Sequence, residues 1–161
     1  LLSAMHADLQ AMLGQNEENT ETDDGLEAGI CFIDRASQKM TFAGSRFSLF
    51  SVADDSVQEI KGGKAGIGYN RYSAQTKFVD TKIAVSPESR YFLATDGLFD
   101  QIGGPKRRGF GKSRLRGFIQ DHTTTQMSDQ GDALRETFAR YQNDEYRRDD
   151  LTVLGFQIPS A

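Results

Sequence analysis

The stretch RYFLATDG, residues 90–97, decides how this chain is to be read. Tyr91, Phe92, Leu93 and Ala94 form a short apolar run of the length and composition of a buried strand. Asp96 follows directly, and Gly97 after it lets the backbone turn, so the carboxylate is displayed at a sheet edge. The last apolar run, DDLTVLGFQI at residues 149–158, is the mirror case, with Asp149 where the strand begins. If the two strands are antiparallel neighbours, the end of one and the start of the other fall at the same edge and the two carboxylates converge. Converging carboxylates repel one another unless a cation sits between them. Hard oxygen donors without a His or Cys cluster suit Mg²⁺ or Mn²⁺, and His6 and His122 are not at metal-ligand spacing. From position and spacing alone a second reading stays open, in which Asp96 caps the turn that follows it and Asp149 pairs with Arg147 or Arg148 on the surface.

Outward from this stretch the chain reads as α+β. LLSAMHADLQAML at its start carries Leu2, Met5, Leu9 and Met12 at helical spacing, so the sequence is expected to open inside a helix with further chain before it. QNEENTETDDG, residues 15–25, is too poor in apolar groups to hold a core position and reads as an exposed loop. AGICFID, KMTFAG, RFSLFSV and VQEIKG then follow as an antiparallel meander of short strands separated by turn-prone residues. TKFVDTKIAV, with Phe78 alternating against polar neighbours, is a further strand, and SPES turns it into RYFLATDG. Between Gly97 and Asp149 lie a basic glycine-rich segment and two amphipathic helices. One helix carries Leu115, Phe118 and Ile119, and the other Leu134, Phe138 and Tyr141, with Ser128 as its predicted N-cap. Strands in runs with helices grouped at the start and in a late insertion are the α+β pattern.

Composition narrows the function classes. The 161 residues are enough for one ordinary domain with a core of its own, and 37% apolar and 26% charged content describes a globular chain. No apolar run reaches membrane-spanning length, so no membrane contact by this chain is expected. A net charge of -4 argues against a whole-domain nucleic-acid binder. The single cysteine, Cys31, lies in a strand-like run and reads as a buried structural thiol, which suits a reducing, cytoplasmic setting.

Several weaker signals are set aside. GFGKS at 109–113 resembles the end of a phosphate-binding loop, but Lys106 stands where that loop requires glycine and the strand before it is missing. The basic cluster of Lys106, Arg107, Arg108, Lys112, Arg114 and Arg116 reads as a solvated loop, ahead of a flap that meets a phosphorylated protein and of a nucleic-acid patch. Ser45 and Ser48 have no nucleophile elbow around them. Asp24-Gly25 precedes a strand and is a plain turn.

ATDGLFDQIGG at 94–104 and RRDDLTVLGF at 147–156 resemble the two C-terminal acidic motifs of the bacterial protein phosphatase 2C-like family typified by stage II sporulation protein E. AGSRFSLFSV, IKGGKAGIGY and FGKSRL occur in the same order in relatives that control anti-sigma-factor antagonists and similar switch proteins. The resemblance covers nearly the whole chain, and it implies that residues 1–161 are the C-terminal portion of one αββα sandwich domain with two metals at one edge of its sheets. It implies a metal-activated water attacking phosphoserine or phosphothreonine, with Asp96 and Asp149 as metal ligands and Asp150 in a supporting role that a one-residue shift would exchange with Asp149. The cofactor expected is Mn²⁺ or Mg²⁺, binuclear in the complete domain. The partner expected is a phosphorylated regulatory protein such as an anti-sigma-factor antagonist, and a homodimer is compatible with the family. The family's other metal-binding aspartates lie upstream of the opening helix. The fragment alone is therefore expected to bind metal weakly and to be poorly active or inactive, in a parent that can carry an upstream sensor or membrane segment. The alternative is a catalytically dead domain of the same fold that acts as a protein-binding or dimerisation module.

Overall fold

The computed structural model describes residues 1–17, 22–53 and 55–159. They form two compact units, Leu1–Leu49 with Ile60–Ser86 and Phe50–Glu59 with Pro87–Pro159.

The first unit opens with helix α1 (Leu2–Met12) and holds a three-stranded antiparallel sheet of β1 (Ala28–Asp34), β2 (Lys39–Ser45) and β5 (Asp80–Ala84), in the order β1-β2-β5. Cys31 opposes Phe42 and Ile33 opposes Met40 across β1 and β2, while Met40 opposes Ile83 on β5, which puts these apolar groups on one face. Met40 and Phe42 are fully buried there. The helix was expected at this place, and Leu2 is buried with Met5 and Leu9 half-buried, but two polar residues share the buried side. Leu2, His6 and Gln10 are buried, whereas Met12 is 82% exposed. His6 accepts the Gly68 N–H at Nδ1, and its Nε2 lies 2.9 Å from the Ser73 carbonyl, so the ring donates there. Gln10 Nε2 donates to the carbonyls of Tyr69 and Tyr72. The helix therefore holds a loop that has no ladder of its own by side chain to backbone bonds. Gln15, placed in an exposed loop by its composition, extends this grip: it is buried and donates to the Asp24 and Gly68 carbonyls. The remainder of that expected loop from residue 18 to 21 lies outside the described residues. Asp24-Gly25 leads into an isolated antiparallel bridge between Leu26 and Ile67, with Gly25 pressed against the Tyr69 ring.

The second unit is built on a four-stranded sheet in the order β4-β3-β6-β9, where β3 is Ser48–Ala53, β4 Ser56–Lys61, β6 Arg90–Ala94 and β9 Val153–Gln157. The expected single meander is thus two pairs of strands in two sheets. The reason is physical: alternation of apolar and polar residues marks a strand but not its partner. For the same reason SPES is not a hairpin turn, since β5 pairs with β2 and β6 with β9, and Phe78 lies before β5 begins. After β6 come the short helix α2 (Asp96–Asp100), a small hairpin of β7 (Ile102–Gly103) and β8 (Arg108–Gly109), and the helices α3 (Gly111–Asp121) and α4 (Met127–Gln142).

The two long helices match their predicted apolar faces. Leu115, Phe118 and Ile119 of α3 and Leu134 and Phe138 of α4 are buried in one cluster with Phe50, Phe92, Ala94, Leu98 and Phe110, and Tyr141 packs against it. Ser128 is not the cap of α4; Gln126 occupies that place without a side-chain cap bond, and the Ser128 hydroxyl donates to Asp129 inside the first turn. Tyr91 of β6 stacks on its register partner Phe156 of β9 with ring centroids 5.4 Å apart.

Candidate functional site

β6 and β9 are antiparallel, with Ala94 opposite Val153. The ladder continues one step past both strands. Thr95 N–H donates to the Thr152 carbonyl at 3.0 Å, and Thr152 N–H donates back to Thr95 Oγ1 at 3.0 Å. This closure places Asp96, the first residue of α2, and the segment Asp149–Leu151 at the same edge. Asp149 does not begin the strand, as its sequence position suggested, but lies in the bend that leads to it.

Gly97 shows how tightly the two sides meet. A Cβ there would stand 2.9 Å from the Asp150 carbonyl carbon and 3.4 Å from that of Asp149, and closer still to the Asp150 oxygen. No side chain fits, so glycine is required for α2 to start against the 149–150 peptide. Asp149 Oδ1 accepts the Asp150 N–H at 2.7 Å, which holds the carboxylate in one orientation while leaving its other oxygen open.

Asp96, Asp149 and Asp150 are all exposed. Among the described residues none of the three forms an ion pair. The Arg147 guanidinium lies 5.5 Å over the Phe138 ring instead, and Arg148 is held through its backbone. Nor does the Asp96 carboxylate act as the cap of α2, whose N-cap is Thr95 without a side-chain cap bond. The surface-pairing reading therefore finds no support in the geometry. Exposed carboxylate oxygens without an ion-pair partner are chemically suited to a hard divalent cation. Among the described residues no group of three or more His, Cys, Asp or Glu side chains is arranged to hold a metal ion.

The basic segment is drawn into the architecture of the second unit. Lys112 Nζ and Arg116 Nη2 lie 2.9 and 3.2 Å from the Glu59 carboxylate, tying α3 to β4. Arg114 lies over the Tyr141 ring and donates to the Gly109 and Phe110 carbonyls, and Arg107 pairs with Glu145. Lys112 thus has a carboxylate partner where a phosphate-binding loop would need it free. Ser45 is buried and donates to the Ala65 carbonyl, a structural use. Cys31 is half-buried rather than buried, and its loss of solvent pushes the thiol up to about 11, away from reactive thiolate character.

One residue beside the acidic edge escaped the sequence reading. Gln101 directly follows α2 and is fully buried. Its Nε2 donates to the Tyr146 and Ile102 carbonyls, both at 3.0 Å, and its Oε1 accepts the Arg148 N–H at 3.3 Å. The signal in the sequence was slight: a polar residue inside an otherwise apolar turn.

The fold has counterparts among known proteins. A family model described as stage II sporulation protein E (SpoIIE) matches residues 2–159. No curated protein matches the chain. Among solved structures it is similar to the SiaA-PP2C domain of Pseudomonas aeruginosa, at 30% identity and a TM-score of 0.83, covering 98% of this chain and 59% of that one. The phosphatase domain of the cell fate determinant SpoIIE from Bacillus subtilis, presoaked with Mn, is similar at 16% identity and a TM-score of 0.63 over 83% of this chain and 56% of that one. The catalytic domain of the serine threonine protein phosphatase PstP in complex with 2 manganese ions is similar at 12% identity and a TM-score of 0.61, covering 98% of this chain and 68% of that one. The chain thus spans less than two thirds of the first two of these structures.

Proposed function

The chain belongs to the stage II sporulation protein E family, and from that premise we propose that the protein it comes from is a metal-dependent phosphoserine or phosphothreonine phosphatase. The fold is that of protein phosphatase 2C domains. The observation that carries the reading is the acidic edge. Asp96 and Asp149 come from positions far apart in sequence, lie at the same edge beside the β6–β9 pairing, and are exposed, with no ion pair to either among the described residues.

Asp96 and Asp149 would hold Mn²⁺ or Mg²⁺. When bound, such a metal supplies Lewis acidity and lowers the pKa of water, so that phosphate ester hydrolysis can proceed at neutral pH. The chain's own part is positioning and charge. The β6–β9 ladder and the close approach at Gly97 fix both carboxylates on a backbone that cannot shift independently, and the Asp150 N–H fixes the orientation of Asp149. As substrate we propose a phosphorylated regulatory protein of the anti-sigma-factor antagonist kind, acted on in the cytoplasm. Among the described residues no helix is long and apolar enough to cross a membrane. The fragment by itself carries part of the metal shell and should bind metal weakly and turn over poorly.

The second reading is a catalytically silent domain of the same fold that binds a phosphoprotein or a second copy of itself. Two carboxylates are too few for a full hard-metal shell, which keeps it open. The deciding experiment measures Mn²⁺-dependent phosphate release from a phosphoserine protein by the complete parent protein and by its Asp96→Ala variant. Release that disappears in the variant supports the phosphatase, and undiminished release removes Asp96 from the site. Binding of the phosphoprotein with no release from the unaltered protein supports the silent domain.

A further inference from the structure

The segment that ends in Asp149 is not held by any ladder. Residues 146–149 lie outside every helix and strand, and β9 begins only at Val153. Arg147 rests over the Phe138 ring, and the backbone of the segment is bonded by one side chain on the other side of the edge. Gln101 is the first residue after the five-residue helix that starts with Asp96. Its amide reaches across to the Tyr146 carbonyl and the Arg148 N–H, so that one buried group stands where a partner strand would stand. Arg148 is the residue before Asp149.

The orientation of that amide is unambiguous, because Nε2 faces two carbonyls and Oε1 faces an N–H. The backbone of Gln101 is fixed as well, since its carbonyl accepts the Phe110 N–H at 2.9 Å. The acidic edge is therefore framed on two sides. Thr95–Thr152 and Gly97–Asp150 fix it toward the sheet, and Gln101 with Tyr146 and Arg148 fixes it away from the sheet.

We infer that Gln101 is a positioning residue for the metal ligands, setting the separation of Asp96 from Asp149 by bonding the end of α2 to the peptide that precedes Asp149. This rests on the metal-binding role proposed above for those two carboxylates. Groups that orient metal ligands change affinity about 10- to 100-fold when removed, because the ion is sensitive to small displacements of its donors. A matched control exists in the same unit. Gln130 is buried in the first turn of α4 and donates from Nε2 to the His122 and Thr125 carbonyls, with its Oε1 unpartnered and no bond to the edge.

The test compares Gln101→Met and Gln130→Met in the complete parent protein, with Mn²⁺ titrated calorimetrically and backbone amide exchange followed in the metal-free state. Both substitutions keep side-chain volume and remove a buried amide, so both lower the melting temperature. Gln101→Met alone is expected to weaken Mn²⁺ binding by at least about tenfold. It is also expected to speed exchange at the Arg148 amide, with Gln130→Met leaving both within about twofold of the unaltered protein. Should Gln101→Met fail to fold, Gln101→Asn keeps a neutral buried amide but draws it back by one methylene from Tyr146 and Arg148, and a loss of affinity in the same direction is expected. Equal Mn²⁺ affinities in the Gln101→Met and Gln130→Met proteins would overturn the inference while leaving the metal site standing. Absence of Asp96-dependent Mn²⁺ binding in the unaltered protein would overturn the metal site and the inference with it.

Discussion

Two groups of polar side chains, one in each unit, are put to opposite uses. In the first, His6, Gln10 and Gln15 are buried, and each is engaged with the backbone of the 24–73 region. In the second, Asp96, Asp149 and Asp150 stand exposed on a backbone fixed by β6, β9 and Gln101, and no cation in the described structure answers them. Buried polar groups with satisfied backbone partners are architecture, because leaving either partner unpaired costs more than the bond is worth. Exposed, unpaired carboxylates on a rigid edge hold nothing together. Their placement makes sense for a ligand. Substitutions in the first unit should therefore change stability and spare metal binding, and those at the acidic edge should do the reverse.

The largest stability effect is expected from His6→Leu. It strips the Gly68 N–H and the Ser73 carbonyl of their partner inside the first unit, at a cost of about 2–4 kcal/mol in chemical denaturation. An effect under about 0.5 kcal/mol would mean that the clasp is not structural and would blur the contrast. Gly97→Ala comes next, and it bridges the two classes. Its Cβ would collide with the Asp150 peptide, so a loss of about 2 kcal/mol should be accompanied by weaker Mn²⁺ binding as the edge is forced apart. Asp149→Asn sharpens the contrast from the other side. Asparagine keeps the bond from the Asp150 N–H and removes only the charge, so stability should stay within about 0.5 kcal/mol while Mn²⁺-dependent phosphatase activity of the complete protein is lost.

The smallest effect is silent at neutral pH. Folding raises the Cys31 thiol from its ordinary 9.0 to about 11 by desolvation. The protonated form is the one the fold favours, so its contribution is whole below pH 9 and is lost as pH climbs through about 11. Comparing denaturation of the natural protein with that of Cys31→Ala at pH 8 and at pH 11 isolates this effect. A difference that does not change between the two pH values would contradict a thiol held neutral by burial.

Much of the fold was legible because it is local. The faces of α3 and α4 follow from Leu115, Phe118, Leu134 and Phe138 at helical spacing, and the strands of the two larger sheets lie within the runs read as strands, whereas the hairpin of β7 and β8 was not seen. Pairing was not legible. Nothing local in KMTFAG and RFSLFSV says that β2 belongs with β1 and β5 while β3 belongs with β6, since both runs have the same alternation. The burial of His6 and Gln10 on α1 was not legible for a different reason: hydrophobic periodicity cannot see polar groups whose partners are backbone groups more than fifty residues away. The convergence of Asp96 and Asp149 was legible because a strand ending in Asp-Gly and a strand preceded by Asp become neighbours under a single antiparallel pairing. Gln101 was not, because its role depends on a contact with Tyr146 and Arg148 that only the folded chain makes.

The central claim, that Asp96 and Asp149 hold the same cation, is tested most directly by a double-mutant cycle on Mn²⁺ affinity. Calorimetric titrations of the complete parent protein, of Asp96→Asn, of Asp149→Asn and of the pair together complete the cycle. Each single substitution is predicted to weaken binding by at least about tenfold, and the pair to lose much less than the product of the two, because residues sharing one ligand are coupled. Single variants that bind Mn²⁺ as well as the unaltered protein would contradict the account.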